Sequence, residues 1–161
     1  MCTRQTKYMP LALFSFFCYN YKGLLLVKKG EIKLSKIKMF SLGGLDENGK
    51  NMFVIEIDKN IFVFEAGLKY ADEMTLGIDY IIPNISYLKE NRKRIKGIFL
   101  THAHDENIGA LSDIIPELGD VPVYASKYTI DVVRKEFETY HISTNNLKEI
   151  KAYIPIDIKG V

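Results

Sequence analysis

Residues 95–111, IKGIFLTHAHDENIGAL, change period halfway along. Ile95 to Leu100 is a short apolar run suited to a buried strand. Beyond the polar group Thr101 to Asn107, Ile108, Leu111, Ile115 and Leu118 recur at the spacing of one helix face. The stretch therefore predicts a strand, a sharp polar crossing and a helix, with His102 and His104 at the crossing. Two histidines at i and i+2 on extended chain project to one side, with Cα atoms roughly 6 to 7 Å apart, so both imidazoles can grip one metal ion. The turn into the helix brings Glu106 and Asn107 back toward a neighbouring position about 3.5 to 4 Å away, the separation used by two-metal hydrolases. The competing reading leaves both histidines capping the strand end and meeting solvent, because isolated His-x-His pairs are common.

On the N-terminal side the chain reads as short strands and turns. Ile37 to Leu42 predicts a strand ending at Gly43-Gly44, followed by a polar loop from Asp46 to Lys50. Met52 to Ile57 and Ile61 to Phe64 are β-rich runs separated by Asp58-Lys59-Asn60, the composition of a tight hairpin. After Pro83, Ile85 and Leu88 mark a helix, and Lys89 to Arg94 reads as its solvated charged side. On the C-terminal side Pro116 is expected to end or bend the helix through Leu118. Val121 to Ala125 predicts a strand, and Ser126 caps a helix carrying Ile130, Val133 and Phe137. Ile150, Ala152, Ile154, Ile156 and Ile158 alternate and predict a last strand with one buried face.

Composition bounds the rest. The chain has 161 residues, 47% hydrophobic and 26% charged, which is enough for one globular domain with a core. A net charge of +2 is too small to mark a nucleic-acid-binding protein by itself. Cys2 and Cys18 have no zinc-site or disulfide spacing, so a reducing cytoplasm is the default. Met9 to Tyr19 is apolar and follows Arg4 and Lys7, as a secretory signal would, but it lacks a small-x-small cleavage site. It is also shorter than the roughly 18 to 20 residues that a span requires, so no membrane partner is expected. The recognisable pattern starts near Ser35, which divides the chain into an atypical extension, 1–34, and a domain, 35–161, that stops before a closing element.

Leu100-Thr101-His102-Ala103-His104-Asp105-Glu106-Asn107 resembles the His-x-His-x-Asp-His motif of the metallo-β-lactamase superfamily. Phe40 to Gly44, Gly49 to Met52, Glu65-Ala66-Gly67, Leu76 to Pro83, Ile85 to Leu88 and Val121 to Tyr124 resemble its ribonuclease J branch. The resemblance implies an α/β fold, the N-terminal part of an αββα sandwich. It implies a di-zinc hydrolase of RNA phosphodiesters, acting as an endonuclease and a 5′-to-3′ exonuclease in the cytoplasm. The implied partners are RNA and either further copies of the chain or a ribonuclease J paralogue. His102 and His104 fall on ligands of the first metal, Glu106 on an aspartate that serves the second, and Asn107 on a histidine. Glu65 falls on the aspartate of the Asp-x-Gly element. Glutamate moves the carboxylate by about 1 Å or more, where such a displacement can cost about 100-fold in rate. Asparagine is a poor zinc ligand, so the second ion is weakly held. These departures are like those of a second, weakly active paralogue. The alternative to an RNA hydrolase is therefore an impaired or inert subunit that binds RNA or a competent partner. A small-molecule hydrolase such as a lactamase or thioesterase is a third reading, weakened by the blocks outside the histidine motif.

Overall fold

A computed structural model describes residues 19–28, 31–72 and 77–158, with side chains from Ser35 onward. Cys2, Cys18 and all but the last residue of the apolar run from Met9 to Tyr19 lie outside the described residues. In chain order the elements are β1 (Tyr19–Lys28), β2 (Glu31–Gly43), β3 (Met52–Ile57), β4 (Asn60–Phe64), β5 (Lys69–Tyr70), β6 (Tyr80–Ile81) and α1 (Ser86–Glu90). After a 3-10 turn at Arg92–Arg94 come β7 (Ile95–Phe99), α2 (Asp105–Ile108), α3 (Leu111–Leu118), β8 (Val123–Ala125), α4 (Lys127–Thr139) and β9 (Leu147–Glu149).

Seven strands form one sheet in the order β1-β2-β3-β4-β7-β8-β9, while β5 and β6 pair separately. The first four strands are an antiparallel meander. From β4 the pairing turns parallel through β7, β8 and β9. The switch follows from the connections, since the two-residue turn between β3 and β4 reverses the chain whereas the helix-bearing crossovers after β4, β7 and β8 return it in the same direction. Parallel pairing also sets the C-terminal ends of β4, β7 and β8 along one sheet edge.

Period-2 alternation decides what each face buries. Val54, Val63, Ile98, Val123 and Leu147 are cross-strand neighbours, and all are buried in the main core with Leu88, Leu111, Ile114, Val133 and Phe137 of the helices. The adjacent row, Phe53, Phe64, Phe99 and Tyr124, projects to the opposite face. There Phe99 stacks on Phe64 at 5.4 Å and on Tyr124 at 5.0 Å, and Phe53 stays 37% exposed. One helix-covered sheet is thus in place: half of the expected four-layer sandwich.

Four sequence expectations need correction or refinement. β2 starts at Glu31, ahead of Ile37. The helix after the histidines breaks at Gly109-Ala110 into α2 and α3, where the Ala110 N–H donates to Ala66 O at 2.9 Å and Glu106 O accepts the Asn51 N–H at 3.1 Å instead of closing a helical turn with each other. Pro116 does not end α3, which runs on to Leu118 and stops at Gly119, whose φ of 82° suits glycine. The predicted strand from Ile150 to Ile158 does not form. The last ladder bond is Ile150 N–H to Ala125 O, at 2.9 Å, beyond which Ile154 and Ile156 are exposed. Alternation specifies a strand only where a neighbouring strand and an apolar face receive it. Ser126, by contrast, caps α4 as expected, its hydroxyl accepting the Thr129 N–H at 3.5 Å. The run Lys89 to Arg94 is mostly exposed, as is His141. Among the described residues no helix is long and apolar enough to cross a membrane.

Candidate metal centre

β7 delivers the histidines. Its final tie to the sheet is Leu100 N–H to Tyr124 O at 2.9 Å, after which Thr101 to His104 leave the edge. Glu65 pins the root of this loop. It is buried, with φ of 64°; its N–H donates to Phe99 O at 3.0 Å, and both carboxylate oxygens accept the Thr101 N–H at 3.3 Å. A long acidic side chain at the end of β4 thus fixes where the crossing departs.

The start of α2 is then stitched to the segment after Glu65. Ala66 N–H donates to Asn107 O at 2.7 Å, Leu68 N–H to Asp105 O at 2.9 Å, Ala110 N–H to Ala66 O at 2.9 Å and Asn51 N–H to Glu106 O at 3.1 Å. The two backbones run so close that a Cβ on Gly67 would fall 1.6 Å from Glu106 O. Only glycine fits there, so the Glu65-Ala66-Gly67 block and the histidine motif are parts of one construction.

Three donors converge on the exposed side of this frame. His102 Nε2 lies 3.1 Å from His104 Nδ1, the rings standing edge to face with centroids 4.4 Å apart. His104 Nδ1 lies 3.4 Å from Glu106 Oε1, and one donor atom from each residue lies within 4.8 Å of the other two. The Thr101 hydroxyl sits 2.8 Å from His102 Nδ1. In the tautomer whose Nδ1–H donates to Thr101, the Nε2 lone pair faces His104 and is free for a cation. Two nitrogens on one tetrahedral zinc stand roughly 3.3 Å apart, given bonds of about 2.0 to 2.1 Å, so the imidazole spacing fits a shared ion.

The other residues of the motif are placed differently. Asn107 is buried, and its backbone is used twice, its N–H on His104 O and its carbonyl under Ala66. Asp105 stands outside the three-donor group and accepts the Tyr70 hydroxyl at 2.5 Å. That bond and the Asp105 charge hold the Tyr70 hydroxyl above its ordinary pKa. Tyr70 carried no sequence signal beyond its nearness to the Glu65-Ala66-Gly67 block. Asn48, Gly49, Leu68, Lys69, Tyr70 and Glu106 line a cleft of about 300 Å³. Its loop wall is fastened by Glu47, which takes Lys50 at 3.2 Å, Lys69 at 3.5 Å and the Gly44 N–H at 3.4 Å. Partial burial raises the pKa of Glu47, but the Lys50 and Gly44 hydrogen bonds and the two lysine charges outweigh it and hold the carboxyl below its usual value.

A family model described as the metallo-beta-lactamase superfamily matches residues 45–157. The chain is 48% identical over 115 residues to Ribonuclease J2 of Bacillus subtilis (strain 168), an alignment that takes in 71% of this chain and 20% of that protein. It is 41% identical over 128 residues to Ribonuclease J 2 of Staphylococcus aureus (strain MRSA252), covering 80% of this chain and 22% of that one. A solved structure of human tRNase Z, short form, aligns with a TM-score of 0.45 at 16% identity, over 69% of this chain and 43% of that one. The chain belongs to the metallo-β-lactamase superfamily, as a ribonuclease J family member. It spans about a fifth of the length of the ribonuclease J2 relatives that it matches.

Proposed function

We propose that this chain supplies the metal-holding front of a ribonuclease J-type hydrolase of RNA phosphodiesters. The observation that carries the reading is the convergence of His102, His104 and Glu106, with ligand atoms within 4.8 Å, on a frame that the Glu65-Ala66-Gly67 block builds. The residues suit zinc: two imidazole nitrogens at a tetrahedral spacing and one carboxylate oxygen. When bound, the ion supplies a Lewis acid and a water acidic enough to act as a nucleophile near neutral pH. The chain's own residues hold and aim. Thr101 fixes the His102 ring, Glu65 fixes the departure of the loop, and the backbone bonds to Asn51 and Leu68 fix the start of α2. Endonucleolytic and 5′-to-3′ exonucleolytic cleavage, action in the cytoplasm, and assembly with copies of itself or a ribonuclease J paralogue belong to the same proposal. The name ribonuclease J2 carried by the relatives supports action on RNA.

A second reading, an impaired subunit that binds RNA or a competent paralogue, is favoured by Asn107. A neutral carboxamide stands where a second ion needs an imidazole. Metal content and cleavage of a 5′-labelled single-stranded RNA by the purified chain separate the two. One or two zinc ions per chain, lost in His102→Ala, with metal-dependent cleavage, supports the hydrolase. Zinc without cleavage supports the impaired subunit, and absence of zinc removes the proposed centre from both readings.

A further inference from the structure

β5 and β6 form a small two-stranded ribbon beside the metal-ligand group, and their register sets Tyr70 directly opposite Tyr80. Both side chains are exposed, 63% for Tyr70 and 42% for Tyr80. A cross-strand aromatic pair adds only a little to a two-stranded ribbon, and both rings are also held in place by their far ends. Tyr70 donates to Asp105 Oδ2 at 2.5 Å at the start of α2, and Tyr80 donates to Asp113 at 3.2 Å in α3. Each ring is thus tethered at Cβ and at the hydroxyl, which removes its freedom to swing while leaving ring surface open. A side chain that is rigid before binding gives up little entropy on binding. Tyr70 also lines the cleft whose opposite lining includes Asn48 and Gly49 and which reaches Glu106 of the ligand group.

We propose that Tyr70 and Tyr80 form a stacking platform for successive nucleobases of single-stranded RNA, leading the strand toward the cleft at Glu106. The proposal rests on the RNA reading above and adds the part of the substrate that this ribbon takes. Exposed aromatic rings beside a nucleic-acid site stack bases with little regard to sequence, because every base has a π-face. The carboxylates of Asp105 and Asp113 lie under the hydroxyl ends, so phosphates are repelled from that side. The bases, rather than the backbone, are turned to the protein. Lys69, next to Tyr70, reaches into the Glu47 pair and keeps the loop wall in place; the rings carry the binding.

The test is binding of a 5′-fluorescein-labelled oligoadenylate of eight ribonucleotides to the whole chain, followed by anisotropy in EDTA so that no cleavage competes. Tyr70→Ala is expected to weaken binding about tenfold and Tyr80→Ala about fivefold, whereas Tyr70→Phe, which keeps the ring and loses the tether, stays within about threefold. With an oligonucleotide whose bases are replaced by abasic residues, wild type is expected to bind as weakly as the double alanine variant, and the substitutions to have no further effect. Circular dichroism of each variant matches wild type, since both rings are exposed. Equal loss in Tyr70→Ala and Tyr70→Phe would overturn stacking in favour of the Asp105 tether. Unchanged binding in the alanine variants, or no binding by wild type, would overturn the platform. Neither result touches the hydrolase reading, which stands or falls by metal-dependent cleavage.

Discussion

The two ends of β7 each carry a cluster of titratable side chains, and the two are built on opposite plans. At the N-terminal end Glu56 of β3 is buried and fully matched. Lys38 Nζ approaches at 3.3 Å, Arg94 Nη2 at 2.9 Å, and the Tyr87 hydroxyl donates to the same carboxylate. Arg94 is itself held by Lys59 O at 3.0 Å and Asn91 Oδ1 at 2.7 Å. At the C-terminal end two exposed imidazoles and a half-buried carboxylate turn two ring nitrogens and a carboxylate oxygen toward one another. The first cluster answers its own charge with side chains, which is what burial requires. The second brings three potential ligand atoms within 4.8 Å of one another on an exposed surface. A buried carboxylate answered by cations of the same fold serves the fold, whereas the exposed convergent group is where we propose that a metal ion is held.

The strongest way to break this contrast is Gly67→Ala. The added methyl meets Glu106 O, a backbone atom that cannot swing aside, so the segment after Glu65 and the start of α2 must separate. A loss of about 3 kcal/mol or more is expected in denaturant unfolding, with zinc binding lost in whatever fraction still folds. Zinc affinity at the wild-type level in this variant would show that the frame does not position Glu106.

Glu56→Gln probes the other end and separates the two plans. Removing the charge leaves Lys38 and Arg94 with a neutral partner, at a cost of about 2 kcal/mol, since hydrogen bonds to charged groups are worth more than neutral ones. Burial pushes the Glu56 carboxyl up, but the Tyr87 and Lys38 hydrogen bonds and the Arg94 and Lys38 charges prevail and set its pKa below the ordinary value. A carboxyl depressed in the folded state contributes stability that is present above its unfolded pKa and is lost as pH falls through the lower, folded one. Wild type is therefore expected to weaken in that acidic window, and Glu56→Gln to show a flatter profile there. Zinc content should be unchanged in Glu56→Gln. A parallel loss of zinc would mean that the two ends of β7 are coupled.

The same division explains what was legible in the sequence. The strand at Ile95 to Phe99, the hairpin around Asp58-Lys59 and the helix after Ser126 each combine an apolar period with a local turn or cap, so near neighbours specify them. That His102 and His104 face one another was legible from their i, i+2 spacing, whereas Glu106, read toward a neighbouring second position, stands in one group with them. The tail from Ile150 to Ile158 has the period of a strand, but β9 ends at Glu149 and the alternation meets no further partner. Glu56, Arg94 and Tyr87 are distant in sequence and come together only once β3 and α1 pack, and Tyr70 meets Asp105 across 35 residues. Pairings of that kind leave no periodic trace. The Gly67 approach lies between these cases: the short block Glu65-Ala66-Gly67 is visible, while the reason for its glycine lies in the carbonyl of Glu106.

The smallest expected effect is also the sharpest control. Ser126 caps α4 just past the end of β8, on the sheet edge that carries the histidine loop, but it touches none of the three donors. Ser126→Ala removes one acceptor for the Thr129 N–H, and the long 3.5 Å contact sets the cost at the low end of the capping range, about 0.5 to 1 kcal/mol. The drop in Tm should be the same with and without zinc, because the cap and the metal group act on independent parts of the structure. A zinc-induced rise in Tm that shrinks in Ser126→Ala would show that the whole sheet edge, α4 included, tightens around the ion. The balanced and the convergent clusters would then differ in reach as well as in charge.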